Sequence, residues 1–183
     1  MTVAEAQLEA YVAEVVETIE GVAPVVGAFI VGSALLGGFD PCTSDLDLVV
    51  VVARPLDSLE RSAVSQALDE LASPLRKLEL VVYAAGAKPP DHELNYPDGE
   101  GEPPHWFVLD AAIAQERAQP FTGRPWGELL ELVTDDEVRQ AAQASLDWSL
   151  RQPADNEFAR RNAVRTRHYL EHGEWITKKE AGE

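Results

Sequence analysis

Three acidic side chains lie in two apolar segments of the chain. Asp45 and Asp47 are two residues apart at the start of the run LDLVVVVA (46–53), and Glu79 interrupts the run KLELVVYA (77–84). The alternation of a β-strand puts Asp45 and Asp47 on one face, roughly 6–7 Å apart. Two carboxylates that converge in this way can share Mg²⁺, which takes oxygen ligands and usually keeps water or substrate phosphates. The other interpretation of the pair is the solvated start of a strand.

A glycine–serine pair, Gly32-Ser33, follows the apolar run VVGAFIVG (25–32). Glycine lets a phosphate approach the backbone closely, and a serine hydroxyl together with the amides of a helix N-terminus can hold phosphate oxygens. The pair alone is a weak signal, because an ordinary helix start capped by Ser33 also explains it.

Glu79 has two explanations in an apolar strand. By alternation its side chain can simply face solvent. Alternatively, its strand lies next to the strand of the aspartates, and Glu79 takes a proton from an acceptor hydroxyl as a general base.

Hydrophobic periodicity predicts the elements that position these side chains. The predicted helices are 3–20, 57–72, 106–117, 126–132, 135–151 and 155–172, and the predicted strands are 25–32, 46–53 and 77–84, with a short edge strand at HELNY (92–96). Asp135 and Asp155 are predicted N-caps. This order predicts an α+β protein, with a mixed-sheet domain in residues 1–100 and a small helical bundle in residues 101–183.

The overall composition indicates a globular protein with a strongly acidic surface. The net charge is −17, from 32 acidic and 15 basic residues. Such a charge disfavours nucleic acid and attracts a cationic small molecule, although it also serves solubility alone. The sequence has no apolar run of the ~20 residues that a membrane helix needs, no basic leader segment and a single cysteine, Cys42. We therefore expect a cytoplasmic protein without a nucleic-acid or membrane partner.

The acidic motif also resembles a known superfamily. Gly-Ser, two glycines, Ser-Asp-Leu-Asp-Leu and a distant Leu-Glu-Leu resemble the core of the nucleotidyltransferases with a polymerase-β-like fold. Residues 110–133 and 162–183 resemble the helical domain of the aminoglycoside adenylyltransferases that modify streptomycin and spectinomycin. The resemblance covers nearly the whole chain. The chain ends within a motif that opens further helices in that family, so a truncated bundle is expected.

This resemblance implies an ATP-dependent enzyme that moves AMP to a hydroxyl of a cationic small molecule, with an aminoglycoside as the expected acceptor. It implies that Asp45 and Asp47 hold Mg²⁺ and that Glu79 is the catalytic base. Gly32 and Ser33 are expected to contact the triphosphate of ATP.

The same resemblance places Arg165 and Lys178 on ATP and Asp155 on the cationic acceptor. The chain departs from the family at two positions: the loop Tyr96–Gly99 has no tryptophan, and Phe158 replaces a polar residue. These differences leave the acceptor open. The alternatives are a protein adenylyltransferase of the toxin–antitoxin type and a catalytically weak nucleotide-binding relative.

Overall fold

The structure, a computed structural model, describes residues 3–32, 45–177 and 180–182. Its strands are β1 (Val25–Ile30), β2 (Leu46–Val52), β3 (Leu78–Ala84), β4 (Leu94–Tyr96) and β5 (Pro120–Gly123). They form one mixed sheet in the order β4-β3-β2-β1-β5. β2 and β3 are parallel, whereas β1 is antiparallel to β2 and β5, and β4 is antiparallel to β3.

Helices cover both faces of this sheet. They are α1 (Val3–Glu20), α2 (Ser58–Asp69), α3 (Pro104–Arg117), α4 (Trp126–Leu129), α5 (Asp135–Arg151) and α6 (Glu157–His172), with short 3₁₀ turns at Gly99–Gly101 and Glu180–Gly182. Within the described ranges, none of the helices combines the length and the apolar character that crossing a bilayer requires.

Two hydrophobic cores form on the two faces of the sheet because side chains alternate along each strand. From β2, Leu46 and Leu48 pack with the buried side chains of α1 and α2. Val49 and Val51 pack on the opposite face, with buried side chains of α3, α4 and α5. A residue of β2 in phase with Val49 therefore faces the helices of the second half of the chain.

The predicted fold class is confirmed as an α+β protein with a mixed sheet. Each predicted helix and strand within the described ranges is present, with ends that shift by a few residues, and the edge strand expected at HELNY is β4. Residues 33–44, between β1 and β2, lie outside the described residues. The division into domains at residue 100 stays a prediction.

One strand is an addition to the sequence analysis. β5 lies between the predicted helices of the second half, yet it pairs with β1 and forms an edge of the sheet. Its Gly123 has a φ of +82°, and a Cβ there would lie 2.2 Å from the carbonyl oxygen of Val26. Glycine thus permits the close approach of the two strands.

Two predicted helix caps are each wrong by one residue. The N-cap of α5 is Thr134, whose side chain accepts a hydrogen bond from the backbone N–H of Glu137, while Glu137 reaches back to Thr134. Asp135 instead lies in the first turn. The N-cap of α6 is Asn156, which accepts from the N–H of Ala159, so Asp155 precedes the cap. In both cases a neighbouring cap residue makes the bond that the aspartate was expected to make.

Candidate active site

Asp47 and Glu79 lie side by side on the two parallel strands at the centre of the sheet. The register of β2 and β3 places Asp47 directly beside Glu79. Such neighbours point to the same side of the sheet and are about 4.8 Å apart, the spacing between strands. They are in phase with Val49 and Val51, so they face α3 and α5. The prediction that the strand of Glu79 lies next to that of the aspartates is confirmed.

Gly32 brings the backbone directly against the carboxylate of Asp47. The N–H of Val31 donates to the carbonyl oxygen of Asp47 at 2.9 Å, and Gly32 then takes a φ of +64°. A Cβ at this position would lie 1.8 Å from Oδ2 of Asp47, so only glycine allows the chain to pass. The predicted phosphate contact of Gly32 stays a prediction, and Ser33 lies outside the described residues.

Asp45 immediately precedes β2, and its carboxylate forms a bidentate ion pair with Arg76. Nε of Arg76 donates to Oδ1 at 2.9 Å, and Nη2 donates to Oδ2 at 3.0 Å. The side chain of Arg76 is 63% exposed, whereas that of Asp45 is 24% exposed. Both oxygens of this predicted metal ligand are therefore engaged by a guanidinium group.

Glu79 forms a second ion pair, with Lys77. Nζ of Lys77 donates to Oε1 of Glu79 and to Oδ2 of Asp98, each at 2.9 Å. The bonds to Glu79 and then Asp98 raise the pKa of Lys77, which stays protonated. The side chain of Glu79 is 42% exposed. Glu79 is therefore partly solvated and also adjacent to the aspartate strand. Its role as a general base stays a prediction.

A pocket of about 60 Å³ opens beside these residues, between the sheet and α3. The apolar part of its wall includes Tyr83, Trp106, Phe107 and Trp126. Acidic side chains from β2, β3, the loop after β4 and α3 also line it, namely Asp47, Glu79, Asp98, Glu102 and Asp110. Such a lining favours a cationic ligand over an anionic one unless a bound cation offsets the charge.

The surroundings of Glu102 in this pocket shift the pKa of its carboxyl group. Burial raises the pKa of Glu102, and the charges of Asp98 and Glu79 raise it further. Asn95, which is buried under the same loop, donates from Nδ2 to the carbonyl oxygen of Gly99 at 2.9 Å. The loop between β4 and α3 is thereby held beside the sheet.

Three acidic residues of the pocket lining were not predicted from the sequence: Asp98, Glu102 and Asp110. Asp110 carried a usable signal, since it follows Trp106 and Phe107 by four and three residues and so shares their face of α3. Asp98 and Glu102 carried none, because their positions depend on how a loop rich in proline and glycine returns across the sheet.

Trp106 is a pocket residue as well as a packing residue. Its ring centroid lies 5.4 Å from that of Trp148 and 6.0 Å from that of Phe158. Phe158 is 57% exposed, so this aromatic cluster extends from the pocket to the surface of α6. The cluster joins α3, α5 and α6 at the end of the bundle where Asp155 lies.

The remaining predicted site residues fall in the second half of the chain. Arg165 is half-buried on α6 and donates from Nε to the carbonyl oxygen of Ile176 at 2.9 Å. Burial lowers the pKa of Arg165, while the charge of Asp110 raises it, so Arg165 lies within electrostatic reach of the pocket. Asp155 is exposed in the turn before α6, and Lys178 lies outside the described residues.

The described residues contain no group of three or more His, Cys, Asp or Glu side chains placed to hold a metal ion. Asp45 is held by Arg76 and Glu79 by Lys77 in this arrangement. The metal, catalytic and nucleotide roles of the site residues therefore stay predictions, although Asp47 and Glu79 are brought together as expected.

Comparison with known proteins gives a structural match but no sequence match. No protein-family model matches the chain, and no curated protein matches it in sequence. Among solved structures, the spectinomycin adenyltransferase AAD(9) from Enterococcus faecialis, crystallised with ATP and spectinomycin, matches with a TM-score of 0.76 at 23% identity. The match covers 97% of this chain and 80% of that one. The protein has the fold of this adenyltransferase.

This shared fold extends over both halves of the chain. It includes the sheet with Asp47 and Glu79, the helix that carries Arg165 and the turn before it that contains Asp155, since almost the whole chain is superposed. The resemblance noted in the sequence is thereby confirmed for the fold. At this level of identity the fold does not assign an acceptor.

Proposed function

We propose that the protein is an ATP-dependent nucleotidyltransferase that moves AMP to a hydroxyl group of a cationic small molecule, with an aminoglycoside as the acceptor. The observation that carries the proposal is the placement of Asp47 beside Glu79 at a pocket with an acidic lining. The shared fold supports it, because the adenyltransferase with that fold was solved with ATP and spectinomycin.

Asp45 and Asp47 would hold the Mg²⁺ ion. The donor set fits, because Mg²⁺ in phosphoryl-transfer sites is bound by one or two carboxylates and takes its other ligands from water and phosphates. The missing Cβ of Gly32 leaves the carboxylate of Asp47 close to a backbone that a phosphate can approach. When bound, Mg²⁺ would orient the triphosphate and offset its charge.

Glu79 would act as the base. The acceptor oxygen forms a bond to the α-phosphorus of ATP, and the bond from that phosphorus to the bridging oxygen of pyrophosphate breaks. Glu79 takes the proton of the acceptor hydroxyl, and the ammonium group of Lys77, 2.9 Å from Oε1, holds the carboxylate in position. Pyrophosphate leaves, and the acceptor carries AMP on oxygen.

The triphosphate needs cations in a protein with a net charge of −17. Arg165 would supply one, since it is anchored to the backbone near the pocket and has an ionised side chain at any physiological pH. Lys178 would supply another, and Ser33 would donate to a phosphate oxygen. These three contacts complete the proposed ATP site.

The acceptor would bind where the acidic and aromatic walls meet. Asp98, Glu102 and Asp110 would attract its ammonium groups, and Trp106 offers an aromatic face for a ring or a cation. Asp155, in the turn before α6, would also contact the acceptor. An aminocyclitol with several amino groups suits this combination of charges and flat surface.

The direct test is incubation of the protein with ATP, Mg²⁺ and a panel of aminoglycosides that includes spectinomycin and streptomycin. Mass spectrometry should show one acceptor whose mass increases by one AMP, with pyrophosphate released. If no acceptor in the panel gains AMP while a protein tyrosine does, the acceptor assignment is wrong and the toxin–antitoxin alternative applies.

The base is tested with Glu79→Gln. Transfer should fall by about 10²- to 10⁴-fold, because glutamine keeps the shape but cannot take a proton. Calorimetric titration with ATP and Mg²⁺ should still show binding. Glu128→Gln is the matched control, since Glu128 is exposed on α4 and lies outside the pocket lining. Loss of nucleotide binding in Glu79→Gln would show instead that Glu79 is a metal ligand.

A further inference from the structure

Two successive cations, Arg76 and Lys77, neutralise the acidic site from the segment that leads into β3. Arg76 donates to both oxygens of Asp45, and Lys77 joins Glu79 to Asp98. The two cations differ in exposure, with 63% of the Arg76 side chain in solvent against 35% of the Lys77 side chain. Lys77 is held by two carboxylates, whereas the described hydrogen bonds of the Arg76 side chain go to Asp45 alone.

The position of Arg76 conflicts with the metal role proposed for Asp45. A guanidinium that donates to both oxygens lies in the plane of the carboxylate and covers its open edge. A Mg²⁺ ion needs a carboxylate oxygen at about 2.0–2.1 Å and cannot share that edge with the guanidinium. Arg76 and a chelated cation are therefore competitors for the same side of Asp45.

Arg76 can leave Asp45 at little cost. Ion pairs with a largely exposed partner contribute little to stability, because water and salt screen them. A freed Arg76 would remain at the mouth of the site, since it is also within electrostatic reach of Glu79. Planar recognition of phosphate oxygens by a guanidinium is as favourable as recognition of a carboxylate.

We propose that Arg76 is an exchangeable counter-ion: it occupies Asp45 while no divalent cation is bound, leaves when the cation binds, and then donates to the polyphosphate of ATP. This inference rests on the proposed function, since it requires a cation on Asp45 and Asp47. In the metal-free protein Arg76 covers the carboxylate of Asp45. Because the metal releases Arg76 to the polyphosphate, binding of the metal is coupled to binding of the nucleotide.

The first test measures the affinity of the full chain for Mn²⁺ by electron paramagnetic resonance, without nucleotide. Arg76→Ala should bind Mn²⁺ about two- to fivefold more tightly than the parent, the size expected when a partly exposed ion pair no longer competes. The Mn²⁺ affinity of Arg76→Lys should lie between those of the parent and Arg76→Ala, because lysine keeps the positive charge but not the two parallel N–H donors of the guanidinium group. A merely structural role for Arg76 would weaken Mn²⁺ binding instead.

The second measurement is calorimetric titration with Mg²⁺ and the non-hydrolysable analogue α,β-methylene-ATP. Arg76→Ala should bind this analogue about two- to fivefold more weakly than the parent, because one phosphate contact is lost. Loss of a positive charge alone would also give opposite signs in Arg76→Ala, so the decisive variant is Arg76→Lys, which keeps the charge but not the planar guanidinium and should differ from the parent in both measurements.

Arg54 provides the matched control. It also donates two hydrogen bonds to one carboxylate, that of Glu60, at 2.9 and 2.6 Å, and it is 55% exposed. It follows the opposite end of β2 from Asp45, and the strand between them is itself roughly 20 Å long at ~3.3 Å per residue. Arg54→Ala should leave both affinities at the parental value.

The possible outcomes distinguish failure of this inference from failure of the proposed function. If the parent and Asp47→Asn bind Mn²⁺ equally poorly, the metal site is wrong and both fall. If Asp47→Asn abolishes binding but Arg76→Ala binds Mn²⁺ as the parent does or more weakly, only the inference falls. Unchanged or tighter binding of the nucleotide analogue by Arg76→Ala also overturns it. Thermal unfolding checks that each variant is folded. If Arg76→Ala does not fold, the same measurements are made on Arg76→Lys.

Discussion

Gly32 links the backbone conformation to the candidate metal site, because its backbone lies directly against the carboxylate of Asp47. Gly32→Ala would introduce a methyl group 1.8 Å from Oδ2 of Asp47, at a φ of +64° that other residues avoid. We expect a loss of about 1–3 kcal/mol in the free energy of unfolding and displacement of the Asp47 carboxylate, with loss of Mn²⁺ binding. Denaturant unfolding and Mn²⁺ titration measure the two effects.

The control for this substitution is Gly86→Ala. Gly86 also has a positive φ, of +83°, but nothing lies within 4 Å of its added Cβ. It should therefore lose stability through its backbone and keep Mn²⁺ binding. If the two variants bind Mn²⁺ equally well, contact with Gly32 does not set the position of the Asp47 carboxylate.

Asp47→Asn tests the metal assignment at the residue itself. The amide has nearly the shape of the carboxylate, so the sheet should form as before, and the midpoint of thermal unfolding should stay close to that of the parent. Transfer of AMP should fall by about 100-fold or more, because a catalytic metal contributes several kcal/mol to the transition state. Transfer at the parental rate would refute the role of Asp47 as a metal ligand.

The sequence could predict the residues that its local pattern places together. Asp45, Asp47 and Glu79 stand out because charged residues at apolar strands need a reason, and the adjacency of Asp47 and Glu79 follows from pairing two buried strands. Arg76 and Lys77 did not stand out, since cations in a polar connection are ordinary. Their bonds to the acidic residues depend on the register of β2 and β3.

At the scale of elements, α5 and α6 are joined by a buried polar bridge. Nδ2 of Asn162 donates to the hydroxyl oxygens of Ser145 at 2.9 Å and Ser149 at 2.7 Å, and all three residues are buried. Asn162→Ala should lower the free energy of unfolding by about 1–3 kcal/mol, because it leaves buried hydroxyl groups with lost partners. Chemical denaturation measures the loss.

Gln143→Ala is the control for the same helix pair. Gln143 donates to Asp147 at 2.9 Å, but on the exposed side of α5. Its removal should change stability by no more than about 0.5 kcal/mol. Equal effects of the two substitutions would mean that burial of the Asn162 bridge contributes nothing beyond a surface hydrogen bond.

Elements defined by their own residues were predictable, whereas those defined by distant partners were not. α1 follows from its apolar periodicity, and β2 from a run of β-branched residues. β5 has only four residues, PFTG, and contains a proline and a glycine that argue against a strand. It exists because β1 offers an edge and Gly123 permits close approach, and neither condition is visible in the local sequence.

At the scale of the whole molecule, the acidic residues have different effects depending on where they lie. Most of the carboxylates are solvated and serve solubility, but Asp98, Glu102 and Asp110 come together with Asp47 and Glu79 at one pocket. Five carboxylates thus lie close together beside an apolar wall, which concentrates their effect on a ligand at this pocket. A cationic acceptor should therefore respond to these few charges more than to the net charge.

This distinction predicts how salt affects the proposed reaction. Raising the ionic strength from about 0.01 to 0.15 M shortens the screening length from about 30 to 8 Å, so KM for a polycationic acceptor should rise several-fold while kcat changes little. Removing two of the five pocket carboxylates with Asp98→Asn and Glu102→Gln together should raise KM at low salt and flatten its salt dependence. Initial rates over a salt series measure both parameters.

Glu9→Gln with Glu17→Gln removes the same number of charges from the exposed side of α1, on the other face of the sheet. If the overall charge of the protein attracted the acceptor, this pair would flatten the salt dependence as much as the pocket pair does. We expect the α1 pair to keep the parental slope, because solvent screens charges that lie beyond the sheet from the pocket. Equal slopes in the two double variants would show that the acceptor responds to net charge and would remove the acidic pocket from the acceptor site.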